Sequence, residues 1–174
     1  DEVQTGVGRT GTLLAAEFEG VVPDGCSLAK GLGGGLPIGA FLAGPALADC
    51  LVPGTHASTF GGNPVCARAA IEVIERLVHD GLLEQIRSTS AYLESKLSDL
   101  IEAHPVAAGL RGRGFLRGLE LTSADPELPA RARARGLLIG MVDANQVVRI
   151  APPLTITEVE IDDLCDRLRL SLEA

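Results

Sequence analysis

The chain has 174 residues, 46% of them hydrophobic and 22% charged, with a formal net charge of -8 at pH 7. This supports a packed core, either one ordinary domain or two small lobes, and excludes a disordered chain. The negative balance argues against a nucleic-acid or anionic-membrane surface, and no apolar run reaches the roughly 18 residues of a membrane span, so a cytoplasmic protein is expected.

In chain order, the first elements are short apolar runs between glycine-rich turns: a strand end over 1–4, then 25–29 and 38–43, which suit buried strands. Asn63-Pro64 opens a helix expected over 64–79, with proline at its first position, and Gly81 breaks it. A second amphipathic helix follows over 82–103, with Glu84, Arg87, Glu94 and Asp99 outward. Strands are expected over 114–121, 137–142 and 146–150, with an Arg- and Ala-rich helix near 127–135 whose Arg131, Arg133 and Arg135 read as a solvated face. Pro152-Pro153 stops the third strand, and Thr157 with Glu160 is a capping-box signature for a last helix over 157–172. The division expected is a large-domain portion over 1–80, a linking helix over 81–105 and a small α+β lobe over 106–174.

Cys26, Cys50, Cys66 and Cys165 form no C-x-x-C pair, and His56, His79 and His104 lack metal-ligand spacing. No metal site or disulfide framework is expected, and the thiols read as buried. Gly33-Gly34-Gly35 lacks the pattern of a nucleotide-binding loop.

Lys30 is one of two lysines and sits between an apolar run and the glycines, with no charged residue between Asp24 and Asp49 except itself. Partial desolvation there would favour the neutral, nucleophilic amine that condenses with an aldehyde, and the glycines would let a planar group approach the main chain. The alternative is a lysine snorkelling from a strand end. Arg149 ends an apolar strand just before Ala151-Pro152-Pro153, so a stiff backbone presents a planar fork suited to a carboxylate.

Four blocks stand in order: Asp1-Glu2-Val3-Gln4-Thr5-Gly6, Leu28-Ala29-Lys30-Gly31, Ser58-Thr59-Phe60-Gly61-Gly62-Asn63-Pro64 and Val148-Arg149-Ile150-Ala151-Pro152-Pro153. Together they resemble class III pyridoxal-phosphate aminotransferases. The resemblance implies an α/β fold of fold-type I, with the C-terminal half of the large domain joined to a small α+β C-terminal domain. It further implies pyridoxal 5'-phosphate as cofactor and Lys30 as the catalytic amine, also holding the cofactor. Asp1 would stand beside the ring nitrogen, Val3 on the ring face and Gln4 at the phenolic oxygen, with Glu2 turned away. Ser58 and Thr59 would reach the phosphate, the threonine that of a neighbouring subunit, which implies a homodimer with shared sites. Arg149 would bind the substrate carboxylate, whereas Arg113 and Arg117 read as structural.

Within the family the nearest look is that of enzymes moving the δ-amino group of N2-acetylornithine to 2-oxoglutarate in arginine biosynthesis. Ornithine or 4-aminobutyrate transamination, or a non-catalytic truncated subunit, are the alternatives. Family members usually run to about four hundred residues, so the chain is expected to be a C-terminal portion that lacks the upstream phosphate-binding turn and is inactive by itself.

Overall fold

In the computed structural model, which describes residues 1–50 and 52–173, the polypeptide divides into two compact units, Asp1–Glu84 and Gln85–Ala174. The division falls within a helix.

The first unit is built on a two-stranded antiparallel sheet, β1 (Gly25–Leu28) and β2 (Ala40–Ala43), in which Gly25 pairs with Ala43 and Leu28 with Ala40. Between them lies a 3-10 turn, Lys30–Gly33, ended by Gly34 in the left-handed region. Helix α1 (Pro64–Val78) starts at a proline and is capped by Asn63, whose carboxamide oxygen accepts from the Val65 and Cys66 N–H groups. It packs on the 3-10 turn, where Val73 lies 3.2 Å from the place a Cβ on Gly34 would occupy. The buried hydrophobic residues described in this unit are few: Val7, Cys26, Leu28, Leu32, Ala70 and Leu77.

Residues 1–4 form no strand, contrary to expectation. The Asp1 side chain accepts from the Val3 N–H at 2.9 Å and the Gly6 N–H donates to the Glu2 carbonyl at 3.0 Å, so the segment closes into turns once Glu2 has bonded β1.

The second unit holds most of helix α2 (Leu82–Ala103), the predicted span, with Ile86, Leu93, Leu97 and Leu100 as its buried stripe. Its sheet is antiparallel in the order β3-β4-β6-β5, from β3 (Ala107–Arg113), β4 (Leu116–Leu121), β5 (Gly140–Val142) and β6 (Val147–Ile150). Helix α3 (Leu128–Ala134) follows β4, and α4 (Glu158–Leu172) closes the chain. The capping box at Thr157 and Glu160 is formed in both directions, with the Thr157 hydroxyl accepting from the Glu160 N–H and the Glu160 carboxylate accepting from the Thr157 N–H.

Strand β3 has no counterpart among the expected strands. Its sequence, Ala-Ala-Gly-Leu-Arg-Gly-Arg, carries no apolar alternation, and it lies at a sheet edge, held by its register with β4 through the turn at Gly114-Phe115. At Gly112, with φ +98°, a Cβ would fall 2.1 Å from the Leu116 carbonyl oxygen, so only glycine fits there.

Two readings of side chains are corrected here. Arg131 is not solvated: it is half-buried, bonded to both Asp125 carboxylate oxygens and to the Ser171 carbonyl. Of the cysteines, only Cys26 is buried; Cys50 is exposed, and Cys66 and Cys165 are intermediate, with burial raising the Cys165 thiol to about 11. Arg117, read as structural, is 8% exposed and donates to the Gly112 and Gly114 carbonyls and to Glu94. Among the described residues no helix is long and apolar enough to cross a membrane, and no His, Cys, Asp and Glu cluster has metal-binding geometry.

Candidate active site

In the first unit, three points tie the N-terminal segment to β1. The Asp1 carboxylate accepts from the Ser27 hydroxyl at 2.9 Å, the Glu2 N–H donates to the Ser27 carbonyl at 3.0 Å, and Gly6 sits against Leu28, leaving 2.9 Å between its missing Cβ and a Leu28 methyl. Lys30 follows Ser27 by three residues, so at about 3.3 Å of rise per residue its backbone is within about 10 Å of the residue that grips Asp1. The Asp1 carboxylate and the Lys30 turn therefore belong to one end of β1.

Lys30 has φ +45°, a left-handed conformation that a non-glycine residue adopts only where its surroundings impose it. The imposing contacts are visible: Val7, itself at φ +56° and buried, packs beside Gly31, and α1 supports the turn from the Gly34 side. The amine was expected to be partly desolvated. Lys30 is instead exposed in this chain, because the residues around it are glycines and turns without bulk. Val3 is half-buried and Gln4 exposed on the same turn.

Glu2 was expected to turn away from the ring, and its side chain is directed at Thr5 and Ala16. It is buried, and its carboxylate accepts from the Thr5 hydroxyl and, at 2.9 Å, from the Ala16 N–H at the start of a 3-10 turn, Ala15–Glu19. Burial alone would raise its pKa, but the Thr5 hydroxyl and the Ala16 and Ala15 N–H groups hold it below the ordinary 4.5. A lowered carboxylate pKa stabilises the fold above the unfolded value, and this contribution is lost as the pH falls through the folded value. Acid titration followed by the exchange rates of the Ala16 and Val7 amides should show this segment loosening below about pH 4.5, and Glu2→Gln should remove most of that pH dependence. An unchanged acid profile in Glu2→Gln would exclude Glu2 as the titrating anchor.

Ser58 and Thr59 lie exposed in the loop before α1. Among the described residues, no hydrogen bond joins them to Asp1 or Lys30, and α1 is capped by Asn63. Arg149 belongs to the second unit, on β6, with an exposed side chain. Sequence reasoning missed Ser27, the buried anchor Glu2 and the glycines beside Arg149. Ser27 carries no signal, since its partner is 26 residues away and a serine in a strand is unremarkable.

The donor set matches pyridoxal 5'-phosphate in chemistry: a fixed carboxylate for a protonated ring nitrogen and a primary amine for an aldehyde, at one strand end.

Solved structures similar to this chain include aminotransferases. An acetylornithine aminotransferase from Elizabethkingia anophelis superposes with a TM-score of 0.88 at 33% identity, over 99% of this chain and 44% of that one. The ornithine δ-aminotransferase of Plasmodium falciparum gives 0.88 at 34% identity, over 99% and 46%. The fold is the α/β, fold-type I architecture of these enzymes.

The chain belongs to the class III aminotransferase family, whose model matches residues 1–172, and this family is pyridoxal-phosphate-dependent. Acetylornithine aminotransferases of Mycobacterium tuberculosis (strain ATCC 25618 / H37Rv) and Mycobacterium leprae are 49% identical over 164 residues and 45% identical over 175 residues. These alignments take in 93% and 100% of this chain but 40% and 43% of the relatives, so the chain spans less than half their length.

Proposed function

We propose that these residues serve a pyridoxal-phosphate-dependent transaminase that moves the δ-amino group of N2-acetylornithine to 2-oxoglutarate in arginine biosynthesis. The observation that carries the chemistry is the Asp1 carboxylate, fixed by Ser27 on the strand that leads into Lys30, with Lys30 held at φ +45°. The 49% identity to acetylornithine aminotransferases favours that amino donor over ornithine or 4-aminobutyrate.

When bound, the cofactor supplies an aldehyde for amines and a ring that accepts the electron pair released at the carbon bearing the amino group. Asp1 keeps the proton on the ring nitrogen, because an anion held by two donors favours the adjacent cation. Lys30 Nζ would anchor the aldehyde and, once freed by substrate, would take the proton from the amino-bearing carbon and deliver it to the cofactor carbon that receives the amino group. Val3 would pack on the ring, Gln4 would bond its phenolic oxygen, and Ser58 and Thr59 would reach phosphate, the threonine that of the neighbouring subunit's cofactor in a homodimer. Arg149 grips the substrate carboxylate by two parallel bonds. In this reading the protein is cytoplasmic, and residues 1–174 alone, spanning 40% of their relatives' length, do not transaminate.

Two measurements test this. Pyridoxal phosphate added to the intact protein, followed by borohydride reduction and peptide mapping, should label Lys30; a label elsewhere, or none, overturns the assignment. In a panel of amino donors, kcat/KM should be highest for N2-acetylornithine, and a preference for ornithine or 4-aminobutyrate would replace the substrate.

A further inference from the structure

Arg149 stands in a cross-strand row set by the sheet register. Arg111 on β3 pairs with Gly118 on β4, Gly118 pairs with Arg149 on β6, and Arg149 pairs with Gly140 on β5. Residues directly opposite in an antiparallel sheet share a face, so two arginines alternate with two glycines across one surface. That surface floors a cavity of about 290 Å³ lined by Arg111, Gly118, Val142, Asp143, Val147 and Arg149 among others.

The two arginines differ in state. Arg111 is neutralised, with Glu120 at 3.4 Å and Asp143 closer still. Among the described residues, no hydrogen bond or ion pair engages the Arg149 side chain, and its guanidinium lies across the bare backbone of β5. Measured from the place a Cβ on Gly140 would take, Nη2 is 3.4 Å away, Nε 3.6 Å and Cζ 3.8 Å. A methyl group there would touch the guanidinium at ordinary packing distance, but any γ atom pointing the same way would occupy its space. Gly118 is tighter: a Cβ would meet a Val147 methyl at 2.9 Å and Arg111 Cγ at 3.3 Å. Register at this point depends on the β5–β6 turn, where Asp143, Ala144 and Asn145 all have positive φ.

We propose that Gly140 is the positioning residue for Arg149, its bare backbone fixing the plane and direction in which the guanidinium fork meets a substrate carboxylate. This rests on the reading of Arg149 as the carboxylate-binding residue. Gly140 opens the edge strand β5 with no positive φ, so no turn conformation requires glycine there, and its place opposite the one unpaired arginine of the row is explained by the room it leaves.

The test is a graded series in the intact protein: Gly140→Ala, Gly140→Val and Arg149→Ala. The probes are calorimetric binding of glutarate, an unreactive dicarboxylate, and KM and kcat for 2-oxoglutarate. Because a displaced fork loses its paired bonds, Gly140→Val should weaken glutarate and raise KM about tenfold or more, while kcat changes less than about threefold. Valine is the better strand former, so the thermal midpoint should hold or rise. Gly140→Ala should bind within about threefold of wild type, since its methyl only touches the guanidinium. If Gly140→Val binds glutarate normally while Arg149→Ala does not, Gly140 has no positioning role. If both glycine variants lose binding together with thermal stability, the role is structural and the proposal falls. Normal binding by Arg149→Ala would overturn the carboxylate reading itself, and the proposal with it.

Discussion

Lys30→Ala in the intact protein is expected to lower transamination by at least about a thousandfold, since in the proposed chemistry one amine would serve both as covalent anchor and as proton carrier. The backbone supplies a second arm to the experiment. Lys30 sits at φ +45°, where glycine is free of the strain that any other residue carries. Lys30→Gly should therefore be as inactive as Lys30→Ala yet more stable by about 1 kcal/mol, measured by denaturant unfolding. The pair separates chemistry from folding, because activity falls in both while only glycine relieves the strain of the turn. Activity retained in either variant would remove Lys30 from the mechanism, and equal stability of the two would mean that the turn is not under strain.

The largest expected effect on stability is at Arg117. Its guanidinium is almost fully buried, and its three nitrogens are spent on the Gly114 carbonyl at 3.1 Å, the Gly112 carbonyl at 2.8 Å and the Glu94 carboxylate at 2.5 Å. These bonds close the β3–β4 turn onto α2. Truncation to alanine leaves a buried gap and two carbonyls without their donors, at about 3 kcal/mol or more of the second unit's stability. Arg117→Lys keeps a charge but cannot reach three acceptors with a single ammonium, so an intermediate loss is expected. Arg133→Ala, on the exposed face of α3, serves as the comparison and should change stability by no more than about 0.5 kcal/mol. Urea unfolding combined with amide exchange in β3 and β4 reads both. A loss confined to less than half the expected value in Arg117→Ala would show that water replaces the guanidinium at the turn.

Local order was legible wherever a local interaction sets it. Helix α2 runs over the predicted 82–103, since its apolar stripe and the Gly81 break are both encoded in neighbouring residues. The last helix begins where Thr157 and Glu160 can cap each other, a bond that spans three residues. Strand β3 was not legible, because nothing in Ala-Ala-Gly-Leu-Arg-Gly-Arg prefers an extended state and only the pairing with β4 imposes it. The 1–4 segment failed for the opposite reason: it reads as a strand end, but the Asp1 side chain captures the Val3 N–H and the chain turns.

The same boundary runs through the candidate site. Sequence alone marked Lys30, isolated among glycines, and Arg149, presented before Ala-Pro-Pro, as candidates for chemistry and identified the class III aminotransferase family, because each of these signals is carried by residues adjacent along the chain. Only tertiary structure decided that Asp1 is held by Ser27, that Glu2 is a buried anchor, that Lys30 is exposed at a left-handed turn and that Gly140 lies beneath the Arg149 guanidinium. Each of these depends on register and contact between segments distant in sequence, and no local preference of a residue specifies which remote backbone it will meet.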